Sequence, residues 1–104
     1  MATFTPEQLN ALAANAEQAA NLLKAMSNQS RLMILCSLID EEMTVGQLNE
    51  RIPLSQSALS QHLAALRKAG LVSTRREAQT IYYQLQGKAP QQIISVLKDT
   101  FCPQ

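Results

Sequence analysis

At 104 residues with 46% hydrophobic and 16% charged side chains, the chain is one domain of globular composition, and its formal net charge of +1 marks neither a disordered tail nor a uniformly basic coat. No apolar run approaches the roughly 20 residues of a bilayer crossing, and "MATFTPEQLN" lacks the basic stretch and apolar core of a signal peptide, so a cytoplasmic protein with no membrane partner is expected. Charge is nevertheless segregated: residues 1–50 hold two basic against six acidic side chains, and residues 51–88 hold six basic against one acidic. Such a segment is the footprint of a chain that meets phosphate with one region only, although a merely solvated face has the same composition. Cys36 and Cys102 are too few for a disulfide framework, and a reducing compartment keeps such a pair as thiols, so any bond between them is conditional.

Thr5 as cap, Pro6 at the first helical position and Gln8 reaching back predict a first helix that runs to Met26. Its stripe of Leu9, Leu12, Ala13, Ala16, Ala20, Leu23 and Met26 suits core packing or a seam with a second copy. Ser27 or Asn28 caps a second helix with Leu32, Leu35, Leu38 and Ile39 inward, and with Cys36 and Met33 on a flank that needs cover. After the acidic corner "DEEM", Thr44 and Gln47 form a capping box for a short third helix carrying Val45, Leu48 and Ile52 inward. Pro53 stops it, and Ser55 caps a fourth helix after a turn of about three residues.

The fourth helix buries Leu59, Leu63 and Leu66 and ends at Gly70, a natural position for left-handed backbone. "LVSTRREAQTIYYQL" then reads as a β-hairpin around "REAQ", with Ile81, Tyr83 and Leu85 inward and Tyr82 opposite. Because Ala78 and not glycine sits at the tip, a turn with positive φ is not expected. Pro90 begins a fifth helix with Ile93, Ile94, Leu97 and Phe101 on one side, leaving Cys102 at a fraying end. Residues 1–104 thus make one mainly α domain with a β-hairpin wing, a winged helix-turn-helix in the order α-α-α-α-β-β-α, and a chain this small gains from a partner subunit.

The fourth helix opens with Ser55 and then presents Gln56, Ser57, Ser60 and Gln61, uncharged polar groups able to hydrogen-bond base edges, where stability alone favours Glu, Lys and Ala. Arg67 and Lys68 near its end suit phosphate, and Arg75, Arg76 and Gln79 at the hairpin tip suit a minor groove or the backbone. His62, the one histidine, suits packing or a phosphate contact better than a metal. The partner these residues imply is double-stranded DNA, and no catalytic residues or cofactor are called for. A thiol enzyme built on Cys36 and His62 is the competing class, and it lacks a recognisable substrate pocket motif.

"LLKAMSNQSRLMILCSLI", "TVGQLNERIPLSQSALSQHLAALRKAGLV" and "RREAQTIYYQL" resemble the ArsR family of dimeric bacterial winged-helix repressors over nearly the whole chain. The resemblance implies a homodimer built on the terminal helices, a dyad-symmetric operator read by two copies of the fourth helix, and an inducer that releases DNA. Two metal-binding patterns of the family are missing: the third helix has no cysteine, and the last offers only Asp99. "LLKAM", "ILC", "LSQSALSQHLA" and "EAQT" are similar to the sulfide- and redox-responsive subgroup, which implies that Cys36 and Cys102 respond to reactive sulfur species or oxidants, bridging directly or through extra sulfur. The alternatives are a regulator or anti-silencer with passive thiols and, less favoured, a metal-responsive repressor.

Overall fold

A computed structural model describes residues 3–102. Six helices and one hairpin follow in order: α1 (Pro6–Ala14), α2 (Ala16–Met26), α3 (Gln29–Ser37), α4 (Val45–Arg51), α5 (Gln56–Lys68), β1 (Val72–Glu77), β2 (Thr80–Leu85) and α6 (Lys88–Phe101). This is the winged helix-turn-helix order, with the expected first helix divided in two. The division falls at Asn15, whose Nδ2 donates to the Ala11 carbonyl at 3.0 Å and draws the backbone to φ −112°, ψ 11°. An amide side chain that competes for helix carbonyls bends the helix at that point.

The cap chemistry legible in the chain is built as expected. Thr5 with Gln8 and Thr44 with Gln47 form reciprocal capping boxes, Asn28 caps α3, and Ser55 caps α5 by accepting from the Ala58 N–H at 3.1 Å. Gly70 follows α5 at φ +80°, as a left-handed helix stop requires. Two boundaries differ: α6 starts at Lys88, two residues before Pro90, and Cys102 is its ordered C-cap, donating N–H to the Lys98 carbonyl at 2.9 Å. Proline is tolerated that early because the first-turn N–H groups have no helical partner to lose.

The core is a single cluster under α5. Leu59, Leu63 and Leu66 meet Ile34, Leu35 and Leu38 of the α3 region, Leu48 and Ile52 of α4, Leu71 and Val72 at the root of the hairpin, and Ile94 of α6. Fully burying each such side chain stabilises the fold by about 1.5–3 kcal/mol. Phe101, on the same side of the last helix as Ile94, is not part of it and is 74% exposed, and Leu9 is 55% exposed on a helix α1 with no buried residue. Leu9 and Leu12 of α1, Leu23 of α2, and Val96 and Phe101 of α6 are therefore uncovered within one chain, while Ile94 holds α6 to the core. No helix among the described residues is long and apolar enough to cross a membrane.

The hairpin pairs Val72 with Leu85 through Glu77 with Thr80, leaving the two-residue loop Ala78-Gln79. A third strand stub joins it, because Met43 and Tyr83 exchange both backbone hydrogen bonds at 2.9 and 2.7 Å. Ile81, assigned inward with Tyr83 and Leu85, lies beyond the reach of the core and is exposed. The expected turn without positive φ is also overturned: Ala78 adopts φ +57°. A two-residue link between strands of natural twist demands a primed turn, and that demand overrides the cost to a Cβ. Glycine at this position relieves the strain, so Ala78→Gly stabilises the fold by about 1 kcal/mol, raising the thermal midpoint by about 4–8 °C. A midpoint that stays or falls in thermal denaturation refutes this account of the wing.

Candidate functional site

The helix α5 buries one face and leaves the other free, so Gln56, Ser57, Ser60 and Gln61 all stand exposed along its first two turns. No acidic residue occupies that first turn, and the partial positive charge of the helix N-terminus is left for an incoming anion. Ser55 sits at the same end, but its oxygen is engaged in the cap and lies 3.4 Å from the Ser57 hydroxyl. The turn before it is held by Asn49, whose Nδ2 donates to the Leu54 carbonyl at 2.7 Å. That amide ties the last turn of α4 to the turn before α5, a role the sequence reading did not single out.

Further along α5, Arg67 and Lys68 reach the surface where Ser60, Ala64 and Tyr83 of β2 line a groove between helix and wing. Arg76 is exposed opposite Ile81, on the hairpin face that carries Tyr83, and Gln79 is exposed in the tip. These exposed side chains are amides, hydroxyls and, in Arg67, Lys68 and Arg76, cations with no carboxylate partner among the described residues. Bases and phosphates are the ligands such a set can bind.

His62 points differently. Its Nδ1 accepts the Nε–H of Arg31 at 3.3 Å, while Arg31 also donates to the Ala25 carbonyl at 3.3 Å, tying α5 to α3 and to the end of α2. The accepting Nδ1 assigns the proton of the neutral ring to Nε2.

Arg75 departs further from the reading of a free tip arginine. It donates Nε–H to one oxygen of Glu42 at 3.1 Å and a terminal N–H to the other at 2.5 Å, reaches Glu77 at 2.8 Å, and rests over the Tyr82 ring at 4.5 Å. The hydrogen bonds from Arg75 hold the Glu42 carboxyl below the usual carboxylate range, and those carboxylates raise the Arg75 guanidinium in turn. The acidic corner proves to be a junction: Asp40 faces Lys98 of α6 at 3.9 Å, Glu41 faces Arg51 of α4 at 3.4 Å, and Glu42 faces Arg75 of β1. Clustered acids alone gave no sign of which element each would meet.

Apart from the residues of α5 and the wing, α3 and α6 pack together and form a cleft of about 240 Å³. Cys36 and Cys102 both line it, with Ile39, Asp40, Ile94 and Lys98, and the flank of Cys36 and Met33 remains exposed beside a second apolar hollow that Leu97 and Phe101 of α6 also line. Both are free thiols. Burial, and then the neighbouring Cys102, push the Cys36 thiol up, so at neutral pH it rests protonated. Two thiols that line one cleft can be joined through one or more sulfur atoms where they approach each other.

A family model described as "Bacterial regulatory protein, arsR family" matches residues 28–74. The transcriptional activator HlyU of Vibrio cholerae is 50% identical over 97 residues, which cover 93% of this chain and 90% of that one. Its structure in the reduced state superposes with a TM-score of 0.83, covering 88% of this chain and 96% of that chain at 52% identity. The transcriptional repressor BigR of Xylella fastidiosa is similar over 97% of this chain and 100% of its own, at 39% identity and a TM-score of 0.83. The homodimeric winged helix-turn-helix DNA-binding domain of Mb0332 from Mycobacterium bovis matches at 29% identity and a TM-score of 0.75, over 96% of this chain and 89% of that one.

Proposed function

Since the chain belongs to the arsR family of bacterial regulatory proteins, we propose that it acts as a homodimeric repressor whose operator affinity is set by the state of Cys36 and Cys102. As a transcriptional regulator it needs a surface for DNA, and the observation that carries the reading is the free polar face of α5 beside Arg67, Lys68, Arg76 and Gln79. Gln56, Ser57, Ser60 and Gln61 read base edges in the major groove, and the arginines hold the backbone on either side. The uncovered apolar residues Phe4, Leu9, Leu12, Leu23, Val96 and Phe101 support pairing through the terminal helices, in keeping with the homodimeric Mb0332 domain. Two copies then present two α5 helices to two half-sites about one helical turn apart.

The shared cleft of Cys36 and Cys102 supports the switch. One thiolate attacks the outer sulfur of a persulfide, forming a protein persulfide and releasing the donor's thiolate. The second thiolate attacks the protein-bound sulfur and expels hydrosulfide, leaving a disulfide, while further donor sulfur lengthens the bridge. The raised Cys36 thiol favours one competing reading, a regulator with passive thiols that binds DNA equally well reduced or bridged.

Selection of duplexes from a random pool by the reduced protein tests the DNA reading. It is expected to return a sequence with two-fold symmetry, and sedimentation at micromolar concentration about twice the mass of one chain. An unenriched pool removes the operator, and a clean monomer removes the dyad.

A further inference from the structure

We infer that Arg75 is a positioning residue of the wing, held by Glu42 across the face of Tyr82, and that it makes no DNA contact of its own. This assignment rests on the reading that the wing meets DNA. Arg75 and Tyr82 are cross-strand partners, and Met43 is paired with Tyr83 on the far edge of β2, so Glu42, Tyr82 and Arg75 lie in line across three chain segments on one face of the hairpin. The guanidinium spans that line and commits three of its five N–H donors within the protein, at least one from each nitrogen: Nε–H and one terminal nitrogen on the two Glu42 oxygens, the other terminal nitrogen on Glu77. A fork with both carboxylate oxygens engaged fixes angle as well as distance, which a lysine in the same place does not do.

The mechanical consequence follows from where Glu42 sits. It belongs to the corner that leads into Thr44, the cap of α4, so the pair joins the hairpin to the start of the helix-turn-helix. Backbone pairing at Met43 and Tyr83 fixes the root of β2, while the Arg75 fork fixes the rotation of the wing about that root. Arg76, one residue on and directed to the opposite face, is thereby aimed toward the groove side that holds Tyr83. Of the two adjacent arginines, only Arg76 has no carboxylate partner among the described residues.

Electrostatics alone makes the opposite forecast, which gives the test its edge. Removing the negative charge of Glu42 from the wing side of the protein ought to strengthen attraction to DNA. The clamp requires that Glu42→Gln weaken it. The probe is a fluorescent mixed-sequence duplex of about 30 base pairs, long enough for two half-sites a helical turn apart. Binding is read by anisotropy well below each variant's thermal midpoint.

Glu42→Gln and Arg75→Met are each expected to lose about 5-fold in affinity, and the double variant to lose no more than either alone. In wild type, the Arg75 Nε–H resonance is expected to stay where it is when the duplex is added. Tighter or unchanged binding by Glu42→Gln, additive losses in the double variant, or a DNA-induced shift of that resonance overturns the assignment. So does a lower thermal midpoint with unaltered affinity, which reduces the pair to fold stability. A wild type that binds no duplex overturns the DNA reading itself, an outcome the same titration separates from the rest.

Discussion

Treatment of the reduced protein with an organic persulfide is expected to lower operator affinity by about 5- to 150-fold, the range of a 1 to 3 kcal/mol coupling between sites. Reductant restores it, and Cys36→Ser and Cys102→Ser stay bound throughout. The expectation comes from the cleft between α3 and α6, which both cysteines line, so that a bridge ties the end of the last helix to α3. Asp40 and Lys98 line the same cleft, and Asp40 stands two residues from Glu42. A shift of α6 on α3 is therefore felt at the corner that orients the wing, as well as in the spacing of the two α5 helices in a dimer. The measurement is operator anisotropy paired with intact mass. Unchanged affinity with a bridge confirmed by mass leaves a DNA-binding regulator whose thiols are passive.

On the DNA side, Gln56→Ala and Ser57→Ala are each expected to lose about 1 to 3 kcal/mol on the selected operator and almost nothing on unrelated duplex. Arg67→Ala and Arg76→Ala weaken both, so the ratio of specific to non-specific affinity holds. The division follows from geometry: the amide and hydroxyl stand at the N-terminal end of α5, and Arg67 stands nearly three turns further, beside the groove toward the wing. Competition titrations with the two duplexes settle it. A loss confined to the ratio in Arg67→Ala, or a uniform loss in Gln56→Ala, reverses the docking.

The helical skeleton was legible in the chain where a start or stop is written in local chemistry, and not at the starts of α2 and α6, which have no side-chain cap. Thr5 with Gln8, Thr44 with Gln47, Ser55 and Gly70 act through bonds a few residues long, and such bonds survive whatever the tertiary context does. Asn15 and Ala78 misled for the complementary reason. An asparagine within an apolar stripe looks like a tolerated surface residue until its amide finds a carbonyl, and an alanine takes left-handed backbone only because two paired strands leave a two-residue gap. The exposure of Gln56, Ser57, Ser60 and Gln61 was legible from the periodicity of Leu59, Leu63 and Leu66. What lay beyond the sequence was the partner of each charge: Arg75 with Glu42 is a contact over 33 residues, and Arg31 with His62 one over 31.

The acidic corner also bears on what a salt titration of this protein means. All three of its pairs are open to solvent, with side chains from 32% to 80% exposed, so mobile ions compete for them as they compete for phosphate. Raising ionic strength then does two things at once: it displaces cations from the DNA backbone and slackens the joints that hold α4, the wing and α6 to one another. The slope of log affinity against log salt is ordinarily converted into a number of neutralised phosphates. Here that conversion overcounts, because part of the slope is the protein loosening its own grip geometry.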